Sequence, residues 1–149
     1  MKKLGIHNLI EIYGCDHDRI DTVDKVRDFM IMAAKESGAT VVGDMFHQFN
    51  PYGISGAVII AESHLTIHSW PEYGYAAVDV FTCGDTIDHE KLQRSLVDFF
   101  QAESYSVNSV SRGIPLHIFD KLQQPDPLTA IANHVPIMAV SAEIDHFIL

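Results

Sequence analysis

The sequence predicts an α+β fold: a two-layer sandwich in which an antiparallel or mixed sheet carries two helices on one face. The elements run strand-helix-strand-strand-strand-helix-strand, followed by a C-terminal extension. Three observations carry this. Short runs rich in Val, Ile, Phe and Tyr are separated by Gly, Pro and Asn turn signals, as strands are. Two longer stretches repeat apolar residues at helical spacing. The chain has 149 residues, 47% of them hydrophobic, which suits one domain around one core.

Leu4–Tyr13 reads as the first strand, closed by Gly14. Asp21 or Thr22 can cap a helix that runs to about Lys35, with Val23, Val26, Phe29, Met30, Ala33 and Ala34 on one face and Gly38 as its stop. Ala39–Phe49 is a strand, and Asn50-Pro51-Tyr52-Gly53 turns the chain. Ser55–Ala61 is a short apolar strand, Leu65–Trp70 is another, and Pro71-Glu72-Tyr73-Gly74 is a second turn. Tyr75–Cys83 returns as a strand. Period two places Ala76, Val78 and Val80 on one face and Tyr75, Ala77, Asp79, Phe81 and Cys83 on the other. The second helix spans Asp88–Ala102, with Leu92, Leu96, Phe99 and Phe100 aligned, and Tyr105–Ser111 is the last clear strand before Gly113. A sheet covered on one side leaves a second face to account for. The Tyr75–Cys83 pattern puts apolar and polar groups there, which predicts an active site, a subunit interface, or both. The extension 114–149 can start a short helix at Asp126-Pro127 and is apolar at Ile137–Val140 and Phe147–Leu149, so it is expected to pack on something.

Ten Lys and Arg stand against 20 Asp and Glu, a formal net charge of −10. This argues against nucleic acid or an anionic membrane as the main partner and is compatible with a cationic ligand. No apolar run is long enough to cross a bilayer. The N-terminus begins basic, but Asn8 and Glu11 interrupt the apolar stretch that follows, so no signal peptide is expected and a cytoplasmic protein is. Two cysteines, Cys15 and Cys83, form no disulfide framework. His64 and His68 lie four apart, but on a strand and without a following Glu; no metal site is expected.

The most specific stretch is Glu62-Ser63-His64-Leu65-Thr66-Ile67-His68, followed by Trp70-Pro71-Glu72 and Asp79-Val80-Phe81-Thr82-Cys83-Gly84. Phe46-His47-Gln48-Phe49-Asn50-Pro51-Tyr52-Gly53-Ile54-Ser55-Gly56 precedes it, and Gly5 to Asp16 matches the opening strand. Over about Gly5 to Gly113 the chain resembles the bacterial and archaeal S-adenosylmethionine decarboxylases. That resemblance implies a proenzyme that cleaves itself between Glu62 and Ser63 into a β chain, 1–62, and an α chain, 63–149. It implies a pyruvoyl cofactor made from Ser63, no metal, and a homodimer with active sites near the subunit interface.

The chemistry follows from residue types. Decarboxylation at an α-carbon needs an electron sink, which amino-acid side chains lack and a carbonyl cofactor supplies through a Schiff base to the substrate amine. Ser63 Oγ can attack the Glu62 carbonyl to give an ester. Loss of the Ser63 α-proton then expels the Glu62 carboxylate, and hydrolysis of what remains of residue 63 leaves pyruvoyl and ammonia. The resemblance assigns proton removal in that elimination to His68 and support of the acyl shift to Ser55. Imidazole suits the first task because it titrates near neutrality. The resemblance makes Cys83 the proton donor in turnover, a task that suits a thiol, and gives Phe49 and Glu72 contacts to the substrate. Strict alternation, however, puts Ser63 and His68 on opposite strand faces, so the chain must bend at Ser63. The bland alternatives are a strand-start serine, a strand histidine bonded to backbone, a buried thiol, a core phenylalanine and a turn glutamate.

Two other functions compete. A pyruvoyl enzyme acting on arginine or ornithine would be favoured by loss of the aromatic at Phe49, and a non-catalytic regulatory paralogue by loss of Ser63, His68 or Cys83; all four residues are present. The chain departs from the family's common pattern at Ile6, at Asp88-His89-Glu90-Lys91, at Gln101–Tyr105 and in the length of its tail.

Overall fold

The computed structural model describes residues 3–113. The readings made for 114–149, including its division from 1–113, lie outside the described residues. The elements are β1 (Gly5–Tyr13), α1 (His17–Ile20), α2 (Val23–Glu36), β2 (Val41–Gln48), β3 (Ile54–Ile60), β4 (Ser63–Trp70), a 3₁₀ turn (Pro71–Tyr73), β5 (Tyr75–Cys83), α3 (His89–Phe100) and β6 (Ser104–Arg112). The strands form one six-stranded sheet in the order β2-β3-β4-β5-β1-β6. Every neighbouring pair is antiparallel, so the mixed alternative falls away.

One sheet face is the core. Ile10, Ile12, Val58, Leu65, Ile67, Val78 and Val80 are buried together with Val26, Met30 and Ala33 of α2 and Leu92, Leu96 and Phe100 of α3. The helical spacing and the Tyr75–Cys83 alternation read from sequence both appear as burial patterns. Among the described residues the other face carries no helix. Met45 is 79% exposed there, Ile59 47%, Tyr13 45% and Trp70 39%, an apolar load that an isolated domain seldom leaves in water.

Three local features differ from the sequence reading. Four strands lie between α2 and α3, one more than the strand-helix-strand-strand-strand-helix-strand order counts, and Ser55–Ala61 and Leu65–Trp70, each read as a strand, pair as the arms of a hairpin. The short α1 was not anticipated. Four residues show no periodicity, and its signal is the cap, Asp16, whose carboxylate accepts from the Arg19 N–H at 3.1 Å. Thr22 takes the N-cap position of α2 but makes no side-chain cap bond. Asp21 instead accepts from the Gly53 N–H at 2.8 Å and from Gln48 Nε2 at 3.0 Å, which holds the turn before β3 against the start of α2.

Candidate active site

The β3–β4 hairpin builds one end of the site. Ile60 pairs with Ser63, leaving Ala61-Glu62 as its two-residue tip. Two-residue hairpins favour positive φ inside the loop, which suits Asn and Gly. Here neither Ala61 nor Glu62 supplies it, and the positive φ, 144°, falls on Ser63. For a residue with a Cβ this region costs about 1–3 kcal/mol. The conformation breaks the alternation where the cleavage reading required a bend. Ser63 Oγ lies 3.3 Å from Nδ1 of His64, a residue of the helix-free face. The adjacent carbonyl is held too: the Cys83 N–H donates to Glu62 O at 2.8 Å. Cys83 itself is exposed, one residue beyond Thr82, which pairs with Ser63.

Around this end stand residues that sequence reasoning did not single out. His64, His7 and Phe81 pack ring against ring, with centroids 5.4 to 6.3 Å apart. The Arg112 guanidinium lies over Phe81 and donates to His7 Nδ1 at 3.0 Å. That bond leaves the proton of a neutral His7 on Nε2, which is buried without a hydrogen-bond partner among the described residues; Asp79 Oδ1 is 3.9 Å away. The only sequence signal for the cluster was its shared parity on adjacent strands.

The opposite end of β4 gathers the other candidates. Ser55 and His68 face each other in register, and Ser55 Oγ lies 2.7 Å from His68 Nδ1. A cavity of about 360 Å³ is lined by both of them and by Phe49, Tyr52, Trp70 and Glu72. Trp70 stacks on Tyr75 at 5.3 Å, and Tyr75 on Tyr13 at 5.4 Å. The Tyr75 hydroxyl donates to Glu11, which pushes its pKa up to about 12.

The structure thus brings Ser63, Glu62 and Cys83 together, and separately Ser55, His68, Phe49 and Glu72. It does not bring the two groups to each other. Five residues of strand at ~3.3 Å each put Ser63 and His68 about 16 Å apart along β4.

Beneath β5, on the helix side, Asn8 Nδ2 lies 2.9 Å from His89 Nδ1, and His89 Nε2 lies 3.0 Å from Thr82 Oγ1. Ser109 Oγ donates to Asn8 Oδ1 at 2.7 Å. Burial pushes the His89 imidazole below its ordinary 6.5, partly offset by Asp88 and reinforced by Lys3. A depressed value means that the unfolded chain takes up this proton first. The stability tied to neutral His89 is therefore present above about pH 6.5 and lost as pH falls through the folded value. The melting temperature of the wild-type protein should drop more steeply between pH 7 and pH 5 than that of His89→Gln. Equal slopes would remove His89 from the acid response.

Cys15 is buried, its thiol pushed up to about 11 by burial, and it takes no part in the site. Among the described residues no three His, Cys, Asp or Glu side chains are placed to hold a metal ion, and no helix is long and apolar enough to cross a membrane.

Comparison with known proteins bears directly on the motif. Residues 6–113 match the family model described as S-adenosylmethionine decarboxylase. The S-adenosylmethionine decarboxylase proenzyme of Thermodesulfovibrio yellowstonii is 48% identical over 82% of this chain and 90% of that protein. The proenzyme of Fervidobacterium nodosum is 44% identical over 97% of both chains, so most of the extension has a counterpart there. The crystal structure of the adenosylmethionine decarboxylase of Aquifex aeolicus superposes with a TM-score of 0.72 at 33% identity, covering 85% of this chain and 98% of that one.

Proposed function

The chain belongs to the S-adenosylmethionine decarboxylase family and decarboxylates S-adenosylmethionine; we propose that it does so with a pyruvoyl group made from its own Ser63, at a site completed by a second copy of the chain. The same reading makes the product the aminopropyl donor for spermidine synthesis, in the cytoplasm. The comparisons lend no support to an arginine or ornithine substrate or to a non-catalytic paralogue.

Residue 63 fits the group. It carries the strained φ, it sits at a hairpin tip where a cut spares the core, and the carbonyl before it already accepts a hydrogen bond from the Cys83 N–H. That N–H is placed to stabilise negative charge on the Glu62 oxygen as Ser63 Oγ attacks, in the manner of an oxyanion hole. Once formed, the pyruvoyl group supplies the electron sink that decarboxylation needs. Cys83 holds a thiol proton at the same hairpin end. Phe49 and Trp70 offer flat apolar surface to an adenine, and Glu72 a negative charge to a cationic or hydroxyl-bearing substrate.

The observation that carries the two-copy reading is the separation of the half-sites. Ser63 with Cys83, and His68 with Ser55, lie at opposite ends of β4 on or beside one helix-free face. A two-fold axis near the middle of β4 would bring one end of each protomer over the other end of its partner. The same pairing would cover the exposed Met45, Ile59 and Trp70.

Purified protein should release labelled carbon dioxide from carboxyl-labelled S-adenosylmethionine and not from arginine or ornithine. Its intact mass should show the chains 1–62 and 63–149, and light scattering should give at least a dimer. A full-length, active monomer would defeat both the cleavage and the two-copy reading.

A further inference from the structure

We propose that the Glu62 side chain is a positioning residue for self-cleavage, tying the hairpin tip to the start of β2 so that the carbonyl before Ser63 is held where the serine must attack it. The inference rests on the reading of Glu62–Ser63 as the cleaved bond.

The hairpin tip lies between β2 on one side and β5 on the other, and Glu62 is bonded toward both. Its carbonyl oxygen accepts from the Cys83 N–H at 2.8 Å, on the β5 side. Its carboxylate Oε2 accepts from the Thr40 N–H at 3.1 Å, on the β2 side. Ala61 adds a third tie, its N–H donating to Thr40 O at 2.8 Å. Without the carboxylate bond, Glu62 could rotate about its own backbone, and the positive φ that the turn imposes on Ser63 would have a way to relax. An acyl shift needs its oxygen and carbonyl carbon within about 3–3.5 Å and aligned. A tip that relaxes spends less time there. The carboxylate is needed on this account for its reach and its acceptor oxygen, not for its charge or its capacity to take a proton.

That distinction sets the test. Glutamine keeps the reach and an acceptor oxygen but loses the acid. Aspartate keeps the acid but is one methylene too short for Thr40. Cleavage of freshly made chain would be followed on denaturing gels for wild type, Glu62→Gln, Glu62→Asp and Glu62→Ala, with melting temperatures measured alongside. Glu62→Gln should cleave within about threefold of wild type. Glu62→Asp and Glu62→Ala should slow by about tenfold or more, the order expected for one lost hydrogen bond to a charged group, while remaining fully folded at the assay temperature. A slow Gln variant beside a fast Asp variant would make the carboxyl an acid or base and overturn the proposal. So would equal rates in all four, or slowing in Asp matched by loss of folded protein. Failure of wild type to cleave would refute the underlying reading instead, and the wild-type lane separates the two.

Discussion

Ser63→Ala should accumulate as a single full-length chain with no detectable decarboxylase activity, while folding as the wild type does. The oxygen of residue 63 is the only atom the acyl shift can use at that bond, so its removal leaves no slower route of the same kind. Alanine sits in the same strained region, φ 144°, and the substitution removes one half-buried oxygen and its 3.3 Å approach to His64, which the core does not need. Gel electrophoresis, intact mass and far-ultraviolet circular dichroism together check this. Wild type should give two chains, the larger resistant to N-terminal sequencing because it begins without an amine. A Ser63→Ala protein that still cleaves between residues 62 and 63 would place the nucleophile elsewhere.

Cys83→Ala should separate the two chemistries. The part in cleavage proposed for it belongs to its backbone N–H, which donates to the Glu62 carbonyl at 2.8 Å and is kept in the variant. The thiol is what the variant loses. Cleavage should therefore persist at least in part, while turnover falls by roughly 10² to 10⁴, the usual contribution of a positioned proton donor. Active-site content can be titrated with a carbonyl reagent so that the rate is counted per cleaved chain. Near wild-type turnover per cleaved chain would show that another group gives the proton. Loss of cleavage with full turnover in the residual cleaved fraction would reverse the roles of thiol and N–H.

Much of this was legible in the chain. Strand β5 follows from alternation alone, residue for residue, because one side of it meets a core and the other does not. Helices α2 and α3 follow from apolar spacing and a glycine or aspartate at an end. The Glu62–Cys83 motif marked the family, which the match over residues 6–113 bears out. Geometry was less legible. Alternation put Ser63 with Leu65 and Ile67, because period two assumes ordinary strand φ, and the residue of β4 that violates it is the one proposed to react. The His7, His64 and Phe81 cluster depends on register between β1, β4 and β5, which no local pattern states. The motif also placed His68 five residues from Ser63, which in sequence looks close. Strand rise turns that spacing into a separation of about 16 Å, and only the extended conformation of β4 makes the distance plain.

That separation makes the central claim testable by mixing. Ser63→Ala and His68→Ala, produced alone, should each remain full length. Co-expressed with different tags, they form mixed dimers in which the His68→Ala chain supplies an intact Ser63 and the Ser63→Ala chain an intact His68. If each site draws on both protomers, the His68→Ala chain should then be cleaved between residues 62 and 63, the Ser63→Ala chain should stay whole, and decarboxylase activity should return in proportion to mixed dimer. If mixed dimers form and neither chain is cleaved, Ser63 and His68 must act within one protomer, and the composite site is wrong.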